Sequence, residues 1–231
     1  MKAIAAIMLM TAVIFTTGCK KDNADGDGIV NGHTYVDLGL PSGTLWAACN
    51  VGATTPEGYG DYFAWGETQT KDYYDWNNYK YANGTSWSDP QLTKYCNNSD
   101  FGYNGFTDNL TVLQPSDDAA TANWGSGWRM PTDAQWQELI QNTTNTWTTQ
   151  NGVNGRLFTA SNGNSLFLPA AGCRWDSELY DAGPYGLYWS RSLPTLDIPI
   201  YACHLYFSSD DCDVNYYYRD HGVSVRPVRE N

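Results

Sequence analysis

Sustained helical periodicity is confined to one short stretch of this 231-residue chain. Pro131-Thr132-Asp133-Ala134-Gln135 opens it, with Thr132 and Gln135 at the spacing of a capping box, in which two side chains satisfy the first free backbone N–H groups. Trp136, Leu139 and Ile140 then fall at i, i+3 and i+4 and form one apolar stripe for a core. A shorter helix is expected at Ser116-Asp117-Asp118-Ala119-Ala120, after Pro115, with a hydroxyl cap and acids in its first turn; it ends by Trp124-Gly125. Everywhere else the apolar runs are short and broken by turn residues. Residues 33–66 read as strand, turn, strand, with Pro41-Ser42-Gly43 as the turn, and residues 156–160 and 165–168 read as a hairpin closed by Ser161-Asn162-Gly163-Asn164. Residues 71–105 show no period and are dense in Asn, Asp, Tyr and Trp, which predicts long surface loops.

A chain so poor in helix has to fill its interior some other way, and its rings are unusual. Ten Trp and seventeen Tyr stand against seven Phe. Rings that carry a polar handle suit half-buried positions and binding surfaces as well as cores. The formal charge is −12, and −13 once residues 1–18, with one base and no acid, are set aside. Such a surface repels phosphate backbones, so nucleic acid is excluded as a partner, and so is attachment to anionic lipid through basic residues.

The N-terminal eighteen residues carry Lys2, an apolar run over 4–15, and Thr16-Thr17-Gly18 before Cys19, the layout of a signal peptide. The run, of about a dozen residues, is too short to span a bilayer core of roughly 30 Å as a helix, which takes about 20. The Gly-Cys junction resembles the lipobox of bacterial lipoproteins. That resemblance implies removal of residues 1–18, lipidation of Cys19, and anchoring to a membrane by acyl chains, at least two being needed for a stable hold. An ordinary signal peptide leaves the junction unexplained. Residues 19–31 are read as a polar tether, and 32–231 as a single domain. Asp22, Asp25 and Asp27 suggest half of a calcium loop, but the closing glutamate is missing and a linker is preferred. Lys20-Lys21-Asp22 resembles the charged address that sends Bacteroidetes lipoproteins to the outer face of the outer membrane. With Cys19 assigned to lipid, Cys49, Cys96, Cys173, Cys203 and Cys212 remain, an odd number for an oxidising compartment, so at least one is unpaired or pairs outside the chain. No Cys or His spacing supports a structural zinc site.

Several motifs occur in a fixed order: Tyr35-Val36-Asp37-Leu38-Gly39-Leu40-Pro41-Ser42-Gly43-Thr44-Leu45-Trp46-Ala47, Asn50-Val51-Gly52-Ala53, Asp61-Tyr62-Phe63-Ala64-Trp65-Gly66-Glu67, Gly127-Trp128-Arg129-Met130-Pro131-Thr132 and Val225-Arg226-Pro227-Val228. Together they resemble the Fibrobacter succinogenes major paralogous domain, common in Bacteroidetes lipoproteins, and the likeness covers nearly all of 33–229. The resemblance implies an α+β, C-type-lectin-like fold: two helices on a small twisted antiparallel sheet, with long loops. It further implies a target of diversity-generating retroelements, whose mutated adenines change a binding surface while the scaffold stays. Tyr188-Trp189-Ser190, Ala202, Leu205, Phe207, Val214, Arg219, Gly222 and 225–228 then look like scaffold. Between them lie the candidate ligand-binding residues Trp175, Asp176, Tyr180, Tyr185, Arg191, Thr195, Asp197, Tyr201, His204, Tyr206, Asp210, Asp211, Asn215, Tyr216, Tyr217, Tyr218, Asp220 and His221. Eight of the seventeen tyrosines fall from Cys173 onward. Tyr with Asn, Asp and Ser is the composition of antibody paratopes. Cys203 and Cys212 sit at positions where variable residues fall; they read equally as accidental thiols or as a pair across adjacent strands.

The expected function is therefore recognition of a protein or glycan by a surface lipoprotein on the outer membrane, without cofactor, metal or catalytic residues. One alternative is a formylglycine-generating-enzyme-like oxidoreductase, since those enzymes share the fold and the Arg129-Met130-Pro131-Thr132 helix start; Cys203 and Cys212 would be its thiols. No further catalytic motif supports it. Calcium-dependent sugar binding lacks its Glu-Pro-Asn or Gln-Pro-Asp loop and its Trp-Asn-Asp strand. The bland alternative is a structural cell-surface domain whose last third is only core and rim.

Overall fold

Strands form in this chain wherever turn residues let it reverse. The computed structural model describes residues 27–230, so the expected leader, Cys19 and most of the expected tether lie outside the described residues. Strands β1 (Asp27–Val30) and β2 (His33–Asp37) are joined by Asn31-Gly32, whose φ angles of 51° and 82° meet the demand of a type I′ turn. The tether expected through Asn31 therefore gives way earlier, to an edge strand. Strand β3 (Leu45–Ala47) pairs antiparallel with β2 across the expected turn, and β4 (Tyr62–Phe63) follows.

Helix α1 (Ala119–Trp124) is capped by the Asp118 carboxylate, which accepts from Thr121 N at 3.0 Å and from Met130 N, and not by the expected Ser116 hydroxyl. Helix α2 (Asp133–Asn142) has the expected capping box, with Trp136 and Leu139 buried and Ile140 half-buried. It runs straight into β5 (Thr143–Gln150), which reverses at Asn151-Gly152 into β6 (Val153–Ala160) and then, across the expected hairpin, into β7 (Ser165–Pro169). The remaining strands are β8 (Cys173–Trp175), β9 (Glu178–Tyr180), β10 (Gly186–Trp189), β11 (Tyr201–Phe207), β12 (Cys212–Tyr218), β13 (Gly222–Ser224) and β14 (Val228–Arg229).

The fold is α+β and mostly sheet. In place of one small antiparallel sheet, the described strands make three: β1-β2-β3-β14, β5-β6-β7, and a larger sheet in the order β12-β11-β10-β13-β8-β9 with β4 on β13. The β10–β13 pairing is parallel. Helix α2 lies over β11 and β12, where Trp136 and Leu139 join Trp46, Tyr188, Leu205 and Phe207 in one apolar cluster. A second, larger cluster centres on Trp65, Trp189 and Val223.

The larger cluster corrects the reading of 71–105 as surface loops. That segment has no strand or α-helix, yet Tyr74, Trp76, Tyr79, Tyr81, Leu92 and Tyr95 in it are buried. Irregular backbone leaves carbonyls without ladder partners, and buried carbonyls must be satisfied. The rings do this with their polar handles. Tyr79 Oη donates to Trp65 O at 2.7 Å, Tyr74 Oη to Tyr62 O at 2.6 Å, Tyr62 Oη to Ala171 O at 2.6 Å, and Trp65 Nε1 to Ser190 O at 2.8 Å. Seven of the ten tryptophans and six of the seventeen tyrosines are buried, in this way or by plain packing.

Arg219 pins the irregular segment to the sheet. Fully buried, its guanidinium donates to Tyr95 O (2.8 Å), Pro199 O (2.6 Å), Lys94 O (3.2 Å) and Tyr79 Oη (3.1 Å), and lies over the ring of Trp65. Replacing it would strand these acceptors inside the protein, at about 1–3 kcal/mol for each that water fails to reach. We expect Arg219→Met to lower the urea-unfolding free energy by about 3–5 kcal/mol. A loss under about 1 kcal/mol would mean that the segment is held by its rings alone.

Candidate functional site

The candidate residues do not form one surface. Strands β11 and β12 pair from Tyr201↔Tyr218 at one end to Phe207↔Cys212 at the other. Six residue steps at about 3.4 Å each put roughly 20 Å between the two ends. The candidates divide between them.

At the Tyr201–Tyr218 end the rings are continuous. The β8–β9 hairpin turns at Asp176, whose φ is 51°, and presents Trp175 and Tyr180 with ring centroids 6.0 Å apart. The Trp175 ring stacks parallel to His221 at 6.1 Å, His221 stacks on Tyr218 at 5.7 Å, and Tyr218 lies 4.8 Å from Tyr201. Trp175, Tyr180 and Tyr216 are 47%, 40% and 43% exposed; Tyr201, Tyr218 and His221 are half-buried. Hydrogen bonding with Tyr201, helped by burial, pushes the Tyr218 phenol up to about 12, so it stays a neutral donor and acceptor across the physiological range. Two further tyrosines adjoin these residues. Tyr217 meets His221 edge-on at 4.9 Å, with its Oη 3.3 Å from Cys173 Sγ, and Tyr73, on the 71–105 segment, is hydrogen-bonded to Asp176. No local sequence signal marked Tyr73, because its place is set by the backbone pairing of Tyr74 with Asp176 (2.9 and 3.0 Å).

At the other end, Tyr185 and Tyr206 stack at 5.8 Å beside Asp210 in a cleft that also takes in Trp147 and Asn154, which the sequence reading did not single out. Thr195 and Asp197 are exposed on the loop between β10 and β11, where Asn98 Nδ2 donates to Asp197 O at 2.8 Å.

Three expectations need correction. His204 is 2% exposed, packed against Tyr217 (5.4 Å) and Trp189 (6.2 Å), because β11 is an interior strand covered on both faces. Asp220 is 1% exposed, and its Oδ1 lies 3.1 Å from His221 Nδ1, so it orients that ring from below and offers a ligand nothing directly. Arg191 is bound into the scaffold, its Nη2 donating to Leu113 O and its backbone N–H to Pro131 O, each at 2.7 Å. Asp211 and Asn215 are exposed, each with one oxygen engaged on its own strand: Asp211 Oδ1 accepts from Cys212 N at 2.8 Å and Asn215 Oδ1 from Tyr216 N at 2.8 Å.

The thiols do not pair. Register sets Cys203 opposite Tyr216 and Cys212 opposite Phe207, and no disulfide joins Cys96, Cys173, Cys203 or Cys212. Burial pushes Cys203 up to about 12 and Cys212 up to about 11, which holds both as thiols rather than as nucleophilic thiolates at neutral pH. Among the described residues no group of three or more His, Cys, Asp or Glu is placed to hold a metal ion, and no helix is long and apolar enough to cross a membrane.

Comparison of the chain with protein-family models, with curated proteins and with solved structures found no match.

His204 makes one prediction. Burial lowers its pKa from 6.5 to about 4, and its Nδ1 has no hydrogen-bond partner. As pH falls from about 6.5 the unfolded chain takes up a proton that the folded protein refuses until about 4. Stability present above pH 6.5 is thus lost through this window, by roughly 3 kcal/mol. Urea-unfolding free energies at pH 7 and pH 4.5 should fall less for His204→Phe than for the parent. Equal falls in both proteins would exclude His204 as the cause.

Proposed function

We propose that this chain is a recognition module carried on a surface lipoprotein, and that its ligand, a protein or a glycan, docks on the ring strip of Trp175, Tyr180, Tyr201, Tyr216, Tyr218 and His221. The observation that carries the reading is the continuity of the Tyr180, Trp175, His221, Tyr218 and Tyr201 rings, with exposed Tyr216 on the same strand as Tyr218, in a protein that buries seven of its ten tryptophans. Several of its other rings are turned inward and hold backbone carbonyls. The strip is left over, half-exposed, with polar atoms at its edges. A few amphipathic rings ringed by polar groups are the usual energetic centre of a binding surface. The rings are preset as well, since His221 is held from below by Asp220 and Trp175 by a two-residue turn, so little side-chain entropy remains to be lost on binding.

The C-type-lectin-like fold, kinship with the Fibrobacter succinogenes major paralogous domain and diversification by a retroelement belong to the same proposal. What supports them is the order of the motifs quoted above and the burial of Tyr188, Trp189, Ser190, Ala202, Leu205, Phe207, Arg219, Gly222 and 225–228 among the positions assigned to scaffold, of which Val214 alone is only half-buried. Anchoring at an outer membrane through acyl chains on Cys19 is proposed from the Gly18-Cys19 junction.

Two measurements test this. Screened on protein and glycan arrays, the whole chain should capture a ligand that a folded Trp175→Ala/Tyr216→Ala/Tyr218→Ala variant binds at least about a hundredfold more weakly, as loss of several aromatic anchors would produce. Capture that survives in the variant would remove the strip from the site. In cells, Cys19→Ser should move the protein from the membrane fraction to the soluble one; an unchanged distribution would end the lipid assignment.

A further inference from the structure

We infer that the cleft at the far end of β11 and β12 is a separate binding site for a neutral saccharide, one or two pyranose rings of a longer glycan. It has a volume of about 410 Å³ and lies where the β5–β6 hairpin meets the β11–β12 turn and the segment leading into β10. That size is within the range of small-molecule sites, roughly 300–1,000 Å³.

The walls divide by chemistry. One is aromatic: Tyr185 and Tyr206 stack at 5.8 Å with an interplanar angle of 26°, and Trp147 is backed edge-on by Phe207 at 6.4 Å. The other is polar, with the Asn154 amide, the Ser209 hydroxyl and the exposed Asp210 carboxylate. A pyranose has the matching halves: a face of C–H bonds that covers an aromatic ring, and a rim of adjacent hydroxyls that bind amide and carboxylate groups in pairs. No Lys or Arg lines the cleft, Asp210 and Asp211 are at its turn, and the chain carries −12 overall, so an acidic sugar or a phosphate is disfavoured.

The polar wall is also rigid. Buried Arg156 donates from Nη2 to Ser208 O (3.2 Å) and Ser209 O (3.4 Å), and from Nη1 to Asn145 Oδ1 (2.6 Å). Within the turn, Ser208 Oγ accepts the N–H groups of Asp210 and Asp211, each at 3.2 Å. Asn154 Oδ1 accepts from Thr149 Oγ1 at 2.8 Å, which fixes the orientation of its amide and aims its nitrogen towards Gly183 O at 3.4 Å. Groups held in place before the ligand arrives lose little entropy when it binds.

The test titrates the whole chain with neutral di- to tetrasaccharides of glucose, mannose, galactose, xylose and N-acetylglucosamine, alongside uronic-acid oligomers, by calorimetry and tryptophan fluorescence. At least one neutral sugar should saturate with a fluorescence change. Asp210→Ala should weaken it about tenfold or more, and Trp147→Phe should abolish the fluorescence change while near-ultraviolet circular dichroism shows the fold intact. Asp210 is exposed, so its removal leaves the fold standing and keeps the result interpretable if the Trp147 variant unfolds. The site is overturned if no neutral sugar saturates at millimolar concentration, if uronic acids bind more tightly, or if Asp210→Ala binds as the parent does. The Trp175/Tyr216/Tyr218 variant should keep full sugar affinity, so failure of the strip and failure of the cleft are distinguishable.

Discussion

A guanidinium group cannot shed its charge in a protein interior, so a buried arginine must collect hydrogen bonds or unfold its surroundings. Arg219 follows the last residue of β12 and collects four, from Lys94, Tyr95, Pro199 and Tyr79, and these partners come from a segment with no ladder of its own and from the loop before β11. One side chain thereby ties the irregular 71–105 segment, the entry to β11 and the exit from β12 to a common point. Its backbone takes part too, since Trp65 N donates to Arg219 O at 2.8 Å. Tyr218 and His221, on either side of it in sequence, are the inner rings of the strip, so the anchor that holds the loops also fixes the base of the candidate site. Arg226 plays a similar part at the other sheet, donating to Asn50 Oδ1, Ala47 O and Ala48 O.

The same need to satisfy stray carbonyls explains the preference for Tyr and Trp over Phe. A Phe in place of Tyr79 would fill nearly the same volume but leave Trp65 O without its donor, and a Phe in place of Trp65 would leave both a gap and an unpaired Ser190 O. Rings with handles therefore do in the loops what ladder bonds do in the sheets. Aromatic content alone is then a poor guide to a binding surface in this chain. The informative rings are the exposed or half-buried ones whose handles hold no loop carbonyl, and Trp175, Tyr180, Tyr216 and Trp147 belong to that smaller set.

What could be read in advance follows how local each signal is. The capping box and stripe of α2 involve residues three and four apart, and the structure has them as expected. Strand β5 escaped because Thr143-Thr144-Asn145-Thr146-Trp147-Thr148-Thr149-Gln150 has almost no apolar alternation, although Asn151-Gly152 just beyond it is a hairpin signal, with φ of 49° and 83°. The rings of 71–105 were read as surface because their burial depends on carbonyls far along the chain: Tyr74 on that of Tyr62, Tyr79 on that of Trp65. In the candidate site, Asn215, Tyr216, Tyr217 and Tyr218 of β12, an edge strand, are exposed or half-buried as expected, whereas polarity misleads on β11. There α2 covers one face and the larger core the other, so His204 is inside although its pattern resembles that of an exposed residue.

That difference between the two strands bears on how anything can bind here. β12 ends the sheet, and a free edge offers its backbone to any passing strand unless it is blunted. Asp211, Asp213 and Asn215 each turn a side-chain oxygen onto the next residue's N–H, at 2.8, 2.7 and 2.8 Å, and so occupy the donors of Cys212, Val214 and Tyr216 along that edge. A ligand adding itself as a further strand would have to displace all three. The route left open runs through side chains, across the rings at one end of the strand and into the cleft at the other. Substitutions on β12 that keep an Asp or Asn at 211, 213 and 215 can then change what the rings contact without exposing the edge to aggregation.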